Sequence, residues 1–279
     1  MVLSKQMNRH PRITRNSPRK HYIRRRRPVD IEIDKVLESL CTAMRNILAV
    51  QGVLLEENTS SMSTKIFHQY LRQCENATCF ARLRKGEECV YAENTDIALF
   101  LSEFAQTVDH FARQIQFRVA FQTAVDELFM AIDQTKMYMI LLNLVSNSFK
   151  HMKPGGYLYI TLAQKRNEIH LTLRDTGPGL SQATTRQCLS KLLLKPIAGV
   201  GLGLPIAQGL VELHGGRLMV SSKKGRGTRA VISLPIRRME SNKRLGIKNA
   251  DGMLMILTGL VDVLNESAFD SIYRDICRD

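Results

Sequence analysis

The chain has 279 residues, of which 44% are apolar and 24% charged, and a formal net charge of +14. These values are typical of an ordinary soluble protein with one or two domains and a sizeable core. The six cysteines form no C-x-x-C pair and have no histidine at metal spacing. The sequence therefore indicates neither a zinc site nor a disulfide framework, and it favours a reducing cytosol.

No stretch of the sequence predicts a membrane anchor. The longest apolar run, Met253 to Leu264, is interrupted by Thr258, Gly259 and Asp262 and is too short to span a bilayer. The N-terminus is basic but lacks the apolar region of a signal peptide. We therefore expect a cytoplasmic protein.

The first 29 residues hold ten Lys or Arg and no acid, so they supply +10 of the net charge. Such a composition predicts a disordered tail. The run Arg24 to Arg27 could contact the phosphates of nucleic acid or an anionic membrane surface without specificity. It could equally be a solvated tail, because a run of charged residues does not by itself define the geometry of a binding site.

Residues 30–86 have the pattern of a helical hairpin. Apolar residues recur at spacings of three and four up to about Leu55, a polar turn follows, and a second helix is predicted from about Ser63 to Leu83. The apolar stripe is wider than one partner helix needs. Such a hairpin commonly dimerises into a four-helix bundle, so we expect a homodimer.

The next segment predicts a strand around Cys89 to Ala92 and a helix from about Thr95 to Gln114. A pair of strands is then predicted around Val119 to Phe129.

A further helix is predicted from Met137 to His151. The polar residues Asn143, Asn147, Lys150 and His151 share one stripe of it, opposite the apolar face. Two carboxamides can offer oxygens to Mg²⁺, which shares its other positions with water and phosphates, and Lys150 adds a positive charge for phosphate. The alternative is a solvated polar face.

Two glycine-rich turns follow. In the first, Asp175 to Gly179, the aspartate ends an alternating strand, where its carboxylate can accept a hydrogen bond from an exocyclic base amine. Gly177 and Gly179 let the backbone approach a flat ring. The second turn, Gly199 to Gly203, leads into a helix from Leu204 to His214, and a glycine loop at a helix N-terminus suits an anion. Either turn alone could be an ordinary loop without a binding role.

These segments, in this order, resemble the ATP-binding domain of sensor histidine kinases, within the ATPase superfamily shared with gyrase, Hsp90 and MutL. Asn143 to His151 matches the asparagine box, and the two turns match the D-x-G-x-G and G-x-G-L-G boxes. Gly227-Thr228 through Leu234-Pro235 matches the closing strand. The resemblance covers roughly Glu87 to Ile236. It implies an α+β protein in which the hairpin is followed by a two-layer α/β sandwich with a mixed sheet.

The resemblance also implies ATP and Mg²⁺ as cofactors and a role for each matching residue. Asn147 would bind Mg²⁺ with Asn143 nearby, Lys150 would reach phosphate, and His151 would lie beside the adenine. Asp175 would read the adenine amine, and Gly177 and Gly179 would lie against the flat ring of the base. The remaining residues of the implied binding site are Gly199, Gly201, Gly203 and Thr228.

The implied division of the chain is a basic tail (1–29), a dimerisation-type hairpin (30–86), an ATP-binding domain (87–236), and a linker with a C-terminal helix (237–279). That helix is predicted from about Met253 to Ile276 and suits docking on a partner or on the protein's own hairpin.

The phosphoacceptor box departs from the family. Its best match begins at Thr42, which stands where the acceptor histidine should be, and Ala43 replaces the neighbouring acid. A hydroxyl is a far poorer nucleophile than imidazole near neutral pH, and alanine offers it no base. The single histidine of the hairpin, His68, is a weak substitute.

The resemblance implies an ATP-dependent protein histidine kinase of two-component signalling, which passes phosphate to a histidine and then to a response regulator. The alternative is a nucleotide-responsive pseudokinase or binding module without self-phosphorylation, because Thr42 weakens only the enzyme reading. A small serine kinase of the anti-sigma type fits the pocket but not the hairpin.

Overall fold

The computed structural model describes residues 61–179, 202–239, 249–266 and 268–269. The basic tail, the first hairpin helix with Thr42 and Ala43, and the turn residues Gly199 and Gly201 lie outside these ranges. The predictions made for them therefore stay predictions.

The described residues form five helices and seven strands. The helices are α1 (Ser61–Lys85), α2 (Ile97–Gln114), α3 (Gln134–His151), α4 (Gly203–Leu213) and α5 (Asn249–Leu260). The strands are β1 (Glu93–Asp96), β2 (Arg118–Thr123), β3 (Phe129–Ile132), β4 (Tyr157–Lys165), β5 (Glu168–Asp175), β6 (Arg217–Ser222) and β7 (Thr228–Pro235).

Five strands build one mixed sheet in the order β2-β4-β5-β7-β6, and β1 pairs with β3 in a separate two-stranded sheet. Strands β2 and β4 are parallel, whereas the other neighbours in the large sheet are antiparallel. The predicted mixed sheet is confirmed.

One face of this sheet is covered by helices. Along β5 the side chains of Ile169, Leu171 and Leu173 are buried and belong to one core with apolar residues of α2, α3 and α4. The other face carries exposed side chains such as those of Tyr159 and Met219. Because side chains alternate across a strand, this arrangement gives the predicted two-layer α/β sandwich.

Helix α5 packs within the same molecule, against α1 of the hairpin and against α2 and α3 of the sandwich. It approaches α3 closely at Gly259, where a Cβ atom would lie 2.6 Å from Cδ1 of Leu142. The expectation that the C-terminal helix docks on the protein's own hairpin is confirmed, although α3 is a second docking surface.

Three local predictions were wrong. The strand expected at Cys89 to Ala92 begins only at Glu93, and the backbone N–H of the exposed Tyr91 donates instead to the carboxylate of Asp133. Strands β2 and β3 do not pair with each other, because an alternating pattern predicts a strand but not its neighbour. The C-terminal helix ends at Leu260 in a turn, short of the predicted Ile276.

Candidate functional site

Helix α3 presents the polar stripe of the asparagine box. The helix is capped by Asp133, whose side chain accepts a hydrogen bond from the backbone N–H of Lys136. Asn143 is buried, Asn147 is half-buried, and Lys150 lies exposed near the last turn. The stripe therefore runs from the interior to the surface, and it is more enclosed than a solvated helix face.

The last residue of the second glycine turn, Gly203, lies against this polar stripe. A Cβ atom built on Gly203 would lie 2.8 Å from Oδ1 of Asn143. Glycine is therefore favoured where α4 begins, because a larger side chain would displace the asparagine. The two boxes, which are far apart in sequence, are neighbours in the fold.

Asp175 lies at the end of β5 with its carboxylate in a fixed orientation. Its side chain is buried, and Oδ1 accepts hydrogen bonds from the backbone N–H groups of Gly177 at 2.9 Å and Thr228 at 3.0 Å. Within the part of the chain that the structure describes, no hydrogen bond reaches Oδ2. One oxygen of a buried carboxylate is thus available to an outside donor.

The first glycine turn is locked against the turn between β6 and β7. Gly179 has φ +64°, and a Cβ atom there would lie 2.1 Å from the carbonyl oxygen of Lys223. Gly227 has φ +80°, and its Cβ atom would lie 2.0 Å from the carbonyl oxygen of Asp175. The structure gives a reason for these glycines that the sequence did not show, which is close backbone packing inside the protein.

The first glycine turn also contacts the end of α3. A Cβ atom on Gly177 would lie 3.4 Å from Cγ of Met152 and 3.6 Å from the carbonyl oxygen of His151. The exposed His151 therefore lies beside the turn that holds Asp175. The structure brings the predicted residues of α3, the aspartate turn and Thr228 to one region of the molecule.

Lys150 makes a contact that the sequence analysis missed. Its Nζ atom lies 2.7 Å from Oδ2 of Asp262, and the same oxygen accepts a hydrogen bond from Nη1 of Arg72 at 2.9 Å. Burial lowers the pKa of the Arg72 guanidinium, an effect that the Asp262 carboxylate partly offsets. The one signal in the sequence was that Asp262 is the single charged residue in the apolar run from Met253 to Leu264.

A cavity of about 290 Å³ adjoins the buried end of the stripe, between α1, α3 and α5. Asn143 lines it together with Arg72 of α1 and Thr258 of α5. A buried ion pair between Lys136 and Glu88 forms part of its wall. The hairpin helix, the asparagine box helix and the C-terminal helix therefore share one interior space.

His68, the weak acceptor candidate, is 1% exposed. Its Nδ1 atom lies 2.8 Å from Oγ1 of Thr258, its ring packs against Phe67 and Phe269, and burial lowers its pKa to about 4. A buried imidazole in this setting has no access to a nucleotide phosphate. The described position of His68 fits a structural role better than that of an acceptor.

The residues with described positions contain no group of three or more His, Cys, Asp or Glu side chains arranged to hold a metal ion. None of their helices combines the length and apolar character needed to cross a bilayer.

Comparison with known proteins gives a family match over the sandwich. Residues 132–238 match the family described as histidine kinase-, DNA gyrase B-, and HSP90-like ATPase. A sensor-like histidine kinase of Rhizobium meliloti (strain 1021) is 27% identical over 218 residues, which are 72% of this chain and 41% of that protein. Sensor protein SrrB of Staphylococcus aureus (strain NCTC 8325 / PS 47) is 34% identical over 109 residues, 37% of this chain and 19% of SrrB. The chain spans less than half the length of these relatives.

Solved structures share the fold. Full-length ShkA in complex with AMPPNP superposes with a TM-score of 0.60 at 22% identity, covering 75% of this chain and 47% of ShkA. Histidine kinase ThkA in complex with the response regulator protein TrrA has a TM-score of 0.50 at 15% identity, covering 74% and 61%. The converging boxes and the family match show that residues 132–238 form an ATPase-type domain of this family, and the relatives to which the chain is similar are sensor histidine kinases.

Proposed function

We propose that this protein binds Mg-ATP between α3 and the Asp175 turn and transfers the γ-phosphate to a histidine, from which it passes to an aspartate of a response regulator. One observation carries most of the proposal. The carboxylate of Asp175 is buried and held through Oδ1 by two backbone amides, while no hydrogen bond from a described residue reaches Oδ2. Oδ2 can therefore accept a hydrogen bond from a ligand.

The exocyclic amine of adenine is a suitable donor for Oδ2. The hydrogen bonds from Gly177 and Thr228 hold the carboxylate in place before a ligand arrives, so binding need not order it. A carboxylate accepts hydrogen bonds but cannot donate them. We therefore expect adenine to bind in preference to a base that presents a carbonyl at this position.

The polar stripe of α3 suits the phosphates and their metal ion. The carboxamide of Asn147 is half-buried and makes no hydrogen bond to another described residue, so its oxygen is available to Mg²⁺, with Asn143 one turn away. Bound Mg²⁺ would neutralise charge on the phosphates. Lys150 would contribute a positive charge near the surface end of the stripe.

The response regulator and the homodimer are part of the same proposal. ThkA, which shares this fold, was solved with the response regulator TrrA. A paired hairpin would place one subunit's ATP-binding domain near the other subunit's helices. The surface that meets the regulator is expected to include the hairpin, of which α1 is the described half.

The test is labelling with γ-labelled ATP, followed by acid and alkali treatment, which separates phosphohistidine from phosphothreonine. Because Thr42 and Ala43 replace the acceptor and its acid, we expect phosphohistidine on a partner protein rather than on the chain's own hairpin. The variant Thr42→His with Ala43→Glu should gain acid-labile, alkali-stable label on the hairpin.

The matched control adds Asn147→Ala to that variant and should remove the label. ATP binding without acid-labile label on any chain would overturn phosphotransfer and favour the nucleotide-responsive binding module. Absence of ATP binding in the wild type and in every variant would overturn the proposal as a whole.

A further inference from the structure

Asp262 of the C-terminal segment contacts Lys150, the cation that we assign to a phosphate of the nucleotide. Oδ2 of Asp262 lies 2.7 Å from Nζ of Lys150 and 2.9 Å from Nη1 of Arg72. The Lys150 and Asp262 side chains are 40% and 30% exposed, whereas that of Arg72 is 11% exposed. One carboxylate oxygen thus joins the hairpin helix to the asparagine box.

This contact rests on a well-packed segment. Val261 and Leu264, on either side of Asp262, are 0% and 1% exposed, and Gly259 lies directly on Leu142 of α3. The buried neighbours fix the turn that follows α5, and the turn fixes where the carboxylate lies. Asp262 is therefore held at Lys150 by packing as well as by charge.

A lysine ammonium is a compact point charge that pairs equally well with a carboxylate or a phosphate oxygen. Lys150 cannot give the same bonding directions to both at once, and a phosphate beside Asp262 would be repelled. We propose that Asp262 competes with a phosphate of the nucleotide for Lys150, so that the docked C-terminal segment lowers ATP affinity and bound ATP loosens the segment. This inference rests on the proposed function, because it assigns the same lysine to the nucleotide.

The coupling is reciprocal by thermodynamic necessity, since docking and nucleotide binding draw on one equilibrium. If only the undocked state binds well, the measured ATP affinity equals the affinity of the undocked state multiplied by the fraction of molecules that are undocked. Arg72 brings the hairpin into this equilibrium, because it holds the same Asp262 oxygen from α1. A signal that moves α1 would then alter the access of ATP to Lys150.

The test compares two variants in the full chain, Asp262→Asn and Glu266→Gln. Both remove one negative charge from the same segment, but the carboxylate of Glu266 makes no ion pair with another described residue. Calorimetry with Mg-ATP should show affinity raised about 1.5-fold to fivefold in Asp262→Asn, the range expected when a partly exposed ion pair stops competing. Glu266→Gln should leave the affinity within error of the wild type.

Equal effects of the two variants, or no effect of either, would overturn the competition. If Asp262→Asn does not fold, hydrogen exchange of residues 253–264 in the wild type decides. Faster exchange on addition of Mg-ATP supports the inference, and unchanged or slower exchange overturns it. ATP binding by Asp262→Asn alone would support the inference strongly, whereas its absence in both proteins would overturn the proposed function as well.

Discussion

The backbone N–H of Thr228 donates a hydrogen bond of 3.0 Å to Oδ1 of Asp175, across 53 residues of sequence. The bond crosses from the start of β7 to the end of β5, two adjacent strands of the large sheet. Since the donor is a backbone group, the orientation of the carboxylate does not depend on the threonine side chain. The sheet itself therefore fixes the orientation of the Asp175 carboxylate.

The variant Asp175→Asn should lose ATP affinity without losing the fold. An asparagine oxygen can still accept from Gly177 and Thr228, but its amide nitrogen would then face the adenine amine, donor against donor. Loss of a hydrogen bond to a charged group costs about 1.5–3 kcal/mol, which corresponds to about a tenfold to hundredfold weaker affinity in calorimetry. The exposed Asp126→Asn serves as the matched control, and unchanged affinity in Asp175→Asn would count decisively against this pocket.

Replacement of Asn147 should act through the metal. The variant Asn147→Ala removes a carboxamide oxygen that makes no hydrogen bond to another described residue, so stability should change little. ATP affinity measured with Mg²⁺ should fall, whereas affinity measured with a chelator should not, because the lost group contacts only the ion. Asn167→Ala, on an exposed turn of the same domain, should bind as the wild type does. An equal loss with and without Mg²⁺ would place Asn147 on the nucleotide instead.

His68 should make the fold sensitive to mild acid. Burial lowers its pKa from 6.5 to about 4. The unfolded chain therefore takes up a proton at a higher pH than the folded chain does, and stability is lost as the pH falls from about 6.5 to about 4. The loss attributable to this residue amounts to about 3 kcal/mol across that window.

The measurement is denaturant unfolding at several pH values for the wild type, His68→Gln and His110→Gln. The His68 variant should show a shallower fall in the free energy of unfolding. The variant at His110, which is exposed on α2, should keep the slope of the wild type. A slope in His68→Gln as steep as that of the wild type would contradict a neutral, buried imidazole.

Replacing only one partner of the ion pair between Lys136 and Glu88 should destabilise the fold. Their side chains are 16% and 5% exposed, so removal of one partner leaves a charge buried without compensation. Lys136→Met should therefore lower the free energy of unfolding by about 3–5 kcal/mol. The double variant Lys136→Met with Glu88→Leu should recover a large part of that loss. A single variant as stable as the double variant would refute the pairing.

The sequence by itself determined the features that depend on local geometry. Asn143, Asn147 and Lys150 share a stripe because helical residues three and four apart lie on one face, and this holds whatever packs against them. The alternation along β5 likewise identified a half-buried strand that ends at Asp175. The order of the boxes was enough to indicate an ATPase-type domain and, through that resemblance, to predict the mixed sheet. The stripe and the alternation each need only a few neighbouring residues, whereas the resemblance uses the order of the boxes along the chain.

Only the tertiary structure decided which distant groups meet. The hydrogen bond from Thr228 to Asp175 depends on the pairing of β5 with β7, and the contact of Lys150 with Asp262 joins residues 112 positions apart. Sequence periodicity does not indicate such pairs, because the distance between the two residues is set by strand order and by the packing of α5 on α3. The same limit explains why β2 and β3 were expected to pair although they belong to different sheets. Local patterns identify the elements, whereas burial of the shared core determines which of them become neighbours.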